Sequence, residues 1–261
     1  MELGLKGKNA AISGSSQGVG YAIALALAEE GCNVALSARG QERLDKAVKD
    51  MEAKGVKAVG ILCDLSTSEG CKKFIDGAVA GLGGLDILVN NVGGMIPGTL
   101  AGLTDEQWST VLNTNLMPYV WTTKYAVDHL KKSKAGRILN VSGVTGKQVM
   151  PGTFTTTIPN TAIIGFNKLM AAELGSSNIL VNSICPGFTS TESWIPRAEA
   201  MAKVRGVSAD DVRAGIAAQN MLGRWAEPAE IGRVAAFMVS EANSHMTGTT
   251  VEVDGGYTKY F

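Results

Sequence analysis

The segment that most constrains the fold lies about ten residues from the amino terminus. A short apolar run, Asn9–Ser13, breaks into Ser13-Gly14-Ser15-Ser16-Gln17-Gly18-Val19-Gly20 and passes at once into a helical pattern. A backbone without Cβ atoms at 14, 18 and 20 turns tightly and lets an anion approach closely. The helix that follows presents free N–H groups and the positive end of its dipole. Placed after a strand and before a helix, Gly14, Ser15, Ser16, Gln17, Gly18, Val19 and Gly20 predict a turn that cradles the pyrophosphate of a dinucleotide.

The same alternation runs down the chain. Strands are predicted at Asn9–Ser13, Asn33–Ser37, Val56–Cys63, Ile87–Asn90, Arg137–Ser142, Leu180–Ile184 and Thr249–Val253. They are rich in Val and Ile without strict polar alternation, the pattern of strands buried on both faces of a parallel sheet. Between them Val19, Ile23 and Leu27 form one helical stripe ending before Gly31, and Leu44, Val48 and Met51 a second ending before Gly55. Strand–helix alternation implies right-handed βαβ units. The expected architecture is a doubly wound α/β domain with a seven-stranded parallel sheet and helices on both faces. No linker, repeat or charge block divides residues 1–261, so one domain is expected. Residues about 190–225 form a helical excursion before the last helix, near Pro228–Val239, as a lid or substrate wall does.

Charge is balanced, 24 basic against 24 acidic residues, which argues against a nucleic-acid partner and gives no pull toward an anionic membrane. No run approaches the roughly 18 apolar residues of a membrane span, and Met1–Lys8 lacks a signal-peptide core. Cys32, Cys63, Cys71 and Cys185 show no close metal-ligand spacing. They read as packing residues in a reducing compartment, and the expected location is the cytoplasm. The second strand ends at Ser37-Ala38-Arg39. A carboxylate there would hold a ribose diol, whereas Arg39 can pair with a 2′-phosphate, which favours NADP(H) over NAD(H).

With these motifs the chain resembles the short-chain dehydrogenase/reductase family over nearly its whole length. Gly14, Gly18 and Gly20 have that family's G-x-x-x-G-x-G spacing. Cys63-Asp64-Leu65 resembles its strand-three acid, Asn90-Asn91-Val92-Gly93 its N-N-A-G motif, and Asn115 its helix asparagine. Pro186-Gly187-Phe188-Thr189-Ser190-Thr191 resembles the segment behind the nicotinamide carboxamide, and Val253-Asp254-Gly255-Gly256 the closing motif. The resemblance implies a Rossmann-type fold and a cofactor contacted by Asp64, Leu65, Asn91, Gly93, Pro186, Gly187, Thr189 and Thr191. It also implies a small-molecule substrate and a homodimer or homotetramer paired through the helices after strands four and five and through the last strand.

The family's catalytic positions carry other residues. Its serine falls on Gly143, its tyrosine on Thr156 and its lysine on Asn160, while Ser142 lies one residue early and points to the opposite face. Threonine has no useful acidity near neutral pH, and asparagine has no charge. Asn115, Ser142, Thr156, Asn160 and Lys147 are the candidates left for the chemistry. Pro159 predicts that the helix here is kinked or begins later, near Thr157–Pro159. That would leave Thr155, Thr156 and Thr157 in a loop or cap with hydroxyls toward the cofactor. His129 and His245 read as structural. Tyr257 and Tyr260 lie in a tail that in some family members reaches a neighbouring subunit. Met95, Met150, Phe154, Phe188, Trp194 and Met201 suggest a wall for an apolar or aromatic substrate. Three functions follow as expectations. The first is hydride transfer on an activated C=N, C=C or C=O group. The second is non-redox lyase, isomerase or hydrolase chemistry on the same scaffold. The third is dinucleotide binding without catalysis.

Overall fold

Each apolar run becomes a strand, and each strand but the last is followed by a helix. The computed structural model describes residues 2–259. The strands are β1 (Asn9–Ile12), β2 (Asn33–Ala38), β3 (Ala58–Leu62), β4 (Ile87–Asn90), β5 (Arg137–Val141), β6 (Leu180–Pro186) and β7 (Thr250–Val253). They form a seven-stranded sheet in the order β3-β2-β1-β4-β5-β6-β7, every neighbouring pair parallel. The predicted ends move by one or two residues. Val56 and Lys57 belong to the turn that leaves Gly55, whose φ is +80°, and β6 runs on to Pro186 because its last residue faces Val253 of β7.

The helices are α1 (Gly18–Glu29), α2 (Gln41–Glu52), α3 (Ser68–Leu82), α4 (Asp105–Asn115), α5 (Met117–Leu130), α6 (Phe154–Leu174), α7 (Ile195–Arg205), α8 (Ala209–Ala217) and α9 (Pro228–Val239). Ile23, Leu27, Leu44, Met51, Ile231 and Ala235 bury α1, α2 and α9 against one face of the sheet. Phe74, Ile75, Ala126, Leu130, Ala171 and Leu174 bury α3, α5 and α6 against the other. A smaller core of Ala198, Ala202, Val212, Ile216 and Trp225 joins α7 to α8 within the 190–225 excursion. Strand order reverses between β1 and β4, and the crevice beyond the carboxyl ends of these two strands is where an α/β sheet takes a ligand.

Of the two expectations at Pro159, a kink or a later start, the later start is corrected. Helix α6 does not begin near Thr157–Pro159; it starts at Phe154 and runs through Pro159. A proline at that point removes the N–H that would bond the carbonyl of Thr155, four residues back. Asn115 repairs the gap: its Nδ2 donates to the Thr155 carbonyl at 3.0 Å. The amides of Thr156 and Thr157 both reach the Thr153 carbonyl, at 3.0 and 2.7 Å, so the first turn closes without a side-chain cap.

Candidate active site

The crevice holds a cavity of about 600 Å³, within the range of ordinary ligand sites. Gly14, Ser16, Gln17, Gly18 and Val19 line one end. Gly14 (φ +59°) and Gly18 (φ +62°) adopt the left-handed backbone that favours glycine. A Cβ on Gly20 would collide with Asn91 Nδ2 and the Gly14 carbonyl. Asn91 locks the turn from behind, donating from Nδ2 to the carbonyls of Ser13 (3.2 Å) and Gly14 (3.1 Å). Ser15 lies beneath the turn: its hydroxyl donates to the Ile12 carbonyl at 2.7 Å and accepts from the Ser37 amide at 3.2 Å. Ser15 and Gly20 therefore brace the loop without lining the cavity.

The start of α1 fits an anion. Gln17 provides no side-chain cap, and no acidic residue occupies the first turn. Helices α4 and α8, in contrast, begin with complete capping boxes at Thr104–Gln107 and Ser208–Asp211. The unused N–H donors and dipole of α1 are left facing the cavity. Arg39, at the end of β2, also lines it, as do Asp64 and Leu65 after β3. Hydrogen bonds from Ser66, with a smaller contribution from Arg39, hold the Asp64 carboxyl below its ordinary range.

At the other end the cavity meets Asn91, Gly93, Asn115, Ser142, Gly143, Thr156, Asn160, Pro186, Gly187, Thr189 and Thr191. Gly143 has φ +72° and ψ 153°, a region essentially reserved for glycine. A Cβ built on it would lie 3.0 Å from Asn160 Nδ2, so positions 143 and 160 face one another. Asn160 donates from Nδ2 to Thr145 Oγ1 at 2.7 Å, and its side-chain Oδ1 accepts from no described residue. Thr156 donates its hydroxyl to the Thr153 carbonyl at 3.1 Å.

The remaining candidates are occupied by structural work. Ser142 is buried, its hydroxyl directed at the Ile184 carbonyl (3.3 Å) and Cys185 Sγ (2.9 Å). Asn115 spends its whole side chain on the fold: Nδ2 donates to the Gly94 and Thr155 carbonyls, and Oδ1 accepts from the Gly94 amide and the Thr114 hydroxyl. Thr155 turns away from the cavity and donates to the Ile96 carbonyl at 2.7 Å. Lys147 does not reach the cavity, because an ion pair with Glu252 on the edge strand β7 draws it aside.

Among the described residues lining the cavity there is no lysine or histidine, and the one tyrosine is Tyr119. Its hydroxyl donates to the Val141 carbonyl at 2.8 Å, and burial pushes its pKa far above the ordinary phenol value. Tyr257 packs within its own chain, edge-on to Phe188 at 5.2 Å, with its hydroxyl against Met150 Sδ at 2.8 Å. Tyr260 lies outside the described residues.

The expected apolar wall is only partly present. Met95 and Trp194 line the cavity. Phe188 and Met201 instead pack into the α7–α8 core. Phe188, Trp194, Trp225 and Tyr257 satisfy one another's ring edges at centroid separations of 4.9–5.6 Å. Sequence reasoning missed Tyr119, Thr145 and Arg197. Arg197 lines the cavity and stacks on Trp194, and its three-residue spacing from that tryptophan in a lid segment was the available signal. The described residues contain no cluster of metal ligands, and no described helix is long and apolar enough to cross a membrane.

Comparison with known proteins agrees with this geometry. The family described as enoyl-(acyl carrier protein) reductase matches residues 14–258. A 3-oxoacyl-(acyl-carrier-protein) reductase of Staphylococcus aureus is 31% identical over 250 residues, covering 95% of this chain and 97% of its own. The crystal structure of L-sorbose reductase from Gluconobacter frateurii, complexed with NADPH and L-sorbose, superposes with a TM-score of 0.96 at 31% identity over 100% of both chains. A short-chain dehydrogenase from Burkholderia cenocepacia in complex with NADP gives 0.87 at 29% identity, over 97% of this chain and 99% of its own. The chain therefore belongs to the family so matched, within the short-chain dehydrogenases/reductases.

Proposed function

We propose that the protein is an NADP(H)-dependent oxidoreductase that acts on a small molecule whose C=N, C=C or C=O group is already activated. The uncapped start of α1 and Arg39, opening on one cavity with Thr156 and Asn160, carry this reading. The relatives solved with NADPH or NADP support the cofactor. Gly14, Ser16, Gln17, Gly18 and Val19 would hold the pyrophosphate and Arg39 the 2′-phosphate. Asp64 and Leu65 would border the adenine, and Pro186, Gly187, Thr189 and Thr191 the nicotinamide side. When bound, NADPH supplies the hydride. The side-chain Oδ1 of Asn160 would accept from a ribose hydroxyl, and the Thr156 hydroxyl would relay but not release a proton near neutral pH.

A positioned general acid contributes about 10²–10⁴ in rate, or roughly 3–5 kcal/mol of barrier. With no lysine or histidine in the described cavity lining, and its one tyrosine buried and bonded to a backbone carbonyl, a substrate that needs no strong proton donor at oxygen is favoured. Exposed Leu112 on α4 (37% accessible) and Leu169 on α6 (71%) support assembly as a homodimer or homotetramer, checked by mass in solution. Four free, buried cysteines suit a reducing cytoplasm.

Calorimetry with NADPH and NADH, followed by NADPH consumption against imines, enones and ketones, tests the reading. NADPH should bind more tightly than NADH, and Arg39→Ala should weaken NADPH about 10-fold or more while sparing NADH. Tight NADPH binding with no turnover of any compound would make this a dinucleotide-binding protein instead.

A further inference from the structure

The charged residues lining the cavity are Arg39, Asp64, Glu192 and Arg197. Arg39 and Asp64 follow β2 and β3 at the far end, so Arg197 is the cation of the lid end. It sits in the first turn of α7, where a positive charge opposes the helix dipole, so helix stability does not account for it. No carboxylate of the described residues forms an ion pair with it. Its guanidinium lies 5.3 Å from the centroid of the Trp194 ring. Stacking of this kind fixes the plane of the guanidinium and leaves its N–H edge available. Burial also lowers its pKa, the sign of a charge short of solvent, which an anionic partner would relieve.

We propose that Arg197 receives an oxyanion of the substrate, a carboxylate or phosphate group, with Trp194 covering the adjoining apolar part. This rests on the reading of the cavity as an NADP(H) and substrate site. The cofactor's own anions have partners elsewhere, at the α1 start and Arg39, which leaves Arg197 to the substrate. An apolar or aromatic compound ending in an oxyanion is then the preferred class, in place of an uncharged one.

The test uses the whole protein loaded with NADP⁺ and three aromatic probes: benzoate, phenyl phosphate and uncharged benzamide. Binding is read by calorimetry and by quenching of tryptophan fluorescence. At least one of the two anions should bind about 10-fold or more tightly than benzamide, reflecting a charge-assisted bidentate contact. Whichever anion prevails identifies the group. Arg197→Gln should remove that preference, Arg197→Lys should keep part of it, and NADPH affinity should stay within about twofold in both. Anions no tighter than benzamide, or an unchanged preference in Arg197→Gln, would overturn the proposal. So would a 10-fold loss of NADPH affinity in Arg197→Gln, which would make Arg197 a cofactor clamp. Failure of NADPH to bind the unaltered protein would count against the functional reading, while the anion preference in its absence still reports on Arg197.

Discussion

Gly143 shows how one backbone angle can restrict the chemistry of a site. With φ +72° and ψ 153°, the position resists any residue bearing a Cβ, and that atom would press on Asn160 Nδ2 at 3.0 Å. Gly143→Ser should cost about 1–3 kcal/mol of stability, read as a drop of roughly 2–4 °C in melting temperature for each kcal/mol. An unchanged melting temperature would show that the loop adapts freely and that the angle imposes no such restriction. Lys147 teaches the complementary point. In sequence it is a candidate for the chemistry, but Glu252 lies 105 residues further along on β7 and captures it. Its chain neighbours gave no notice of that partner.

At the scale of elements, α6 and its repair by Asn115 are the instructive case. Proline in a helix interior costs about 3 kcal/mol, and the buried Nδ2 of Asn115 offsets part of this by serving the orphaned Thr155 carbonyl. Asn115→Ala should destabilise the protein by about 1–3 kcal/mol, because that carbonyl and both backbone groups of Gly94 lose partners. Pro159→Ala restores the N–H, so the Asn115→Ala loss should be smaller in that background. A thermal or urea double-mutant cycle measures the coupling; strictly additive losses would refute the repair. The glycine turn, the seven parallel strands and Arg39 were legible in sequence because each depends on neighbours within one βαβ unit. The start of α6 was not, because the group that rescues it sits on another helix 40 residues away. The aromatic wall was misread for the same reason: Phe188 and Met201 carry no local sign that they pack into the α7–α8 core.

For the whole molecule, the fold keeps one end of its cavity in the form a dinucleotide needs and places residues without an ionisable proton at Gly143, Thr156 and Asn160 of the other. Gly14, Gly18 and Arg39 line the first end; Gly143, Thr156 and Asn160 form the second. Hydride delivery depends on proximity and orientation, which this arrangement preserves, whereas protonation of a plain carbonyl oxygen depends on a tuned acid. The two requirements separate in one comparison of rates. With NADPH saturating, we measure turnover of a cyclic iminium compound beside the ketone of matching skeleton. The iminium should be reduced at least about 100-fold faster than the ketone. Equal rates would contradict it, since they would require a proton donor that Thr156 and Asn160 cannot be.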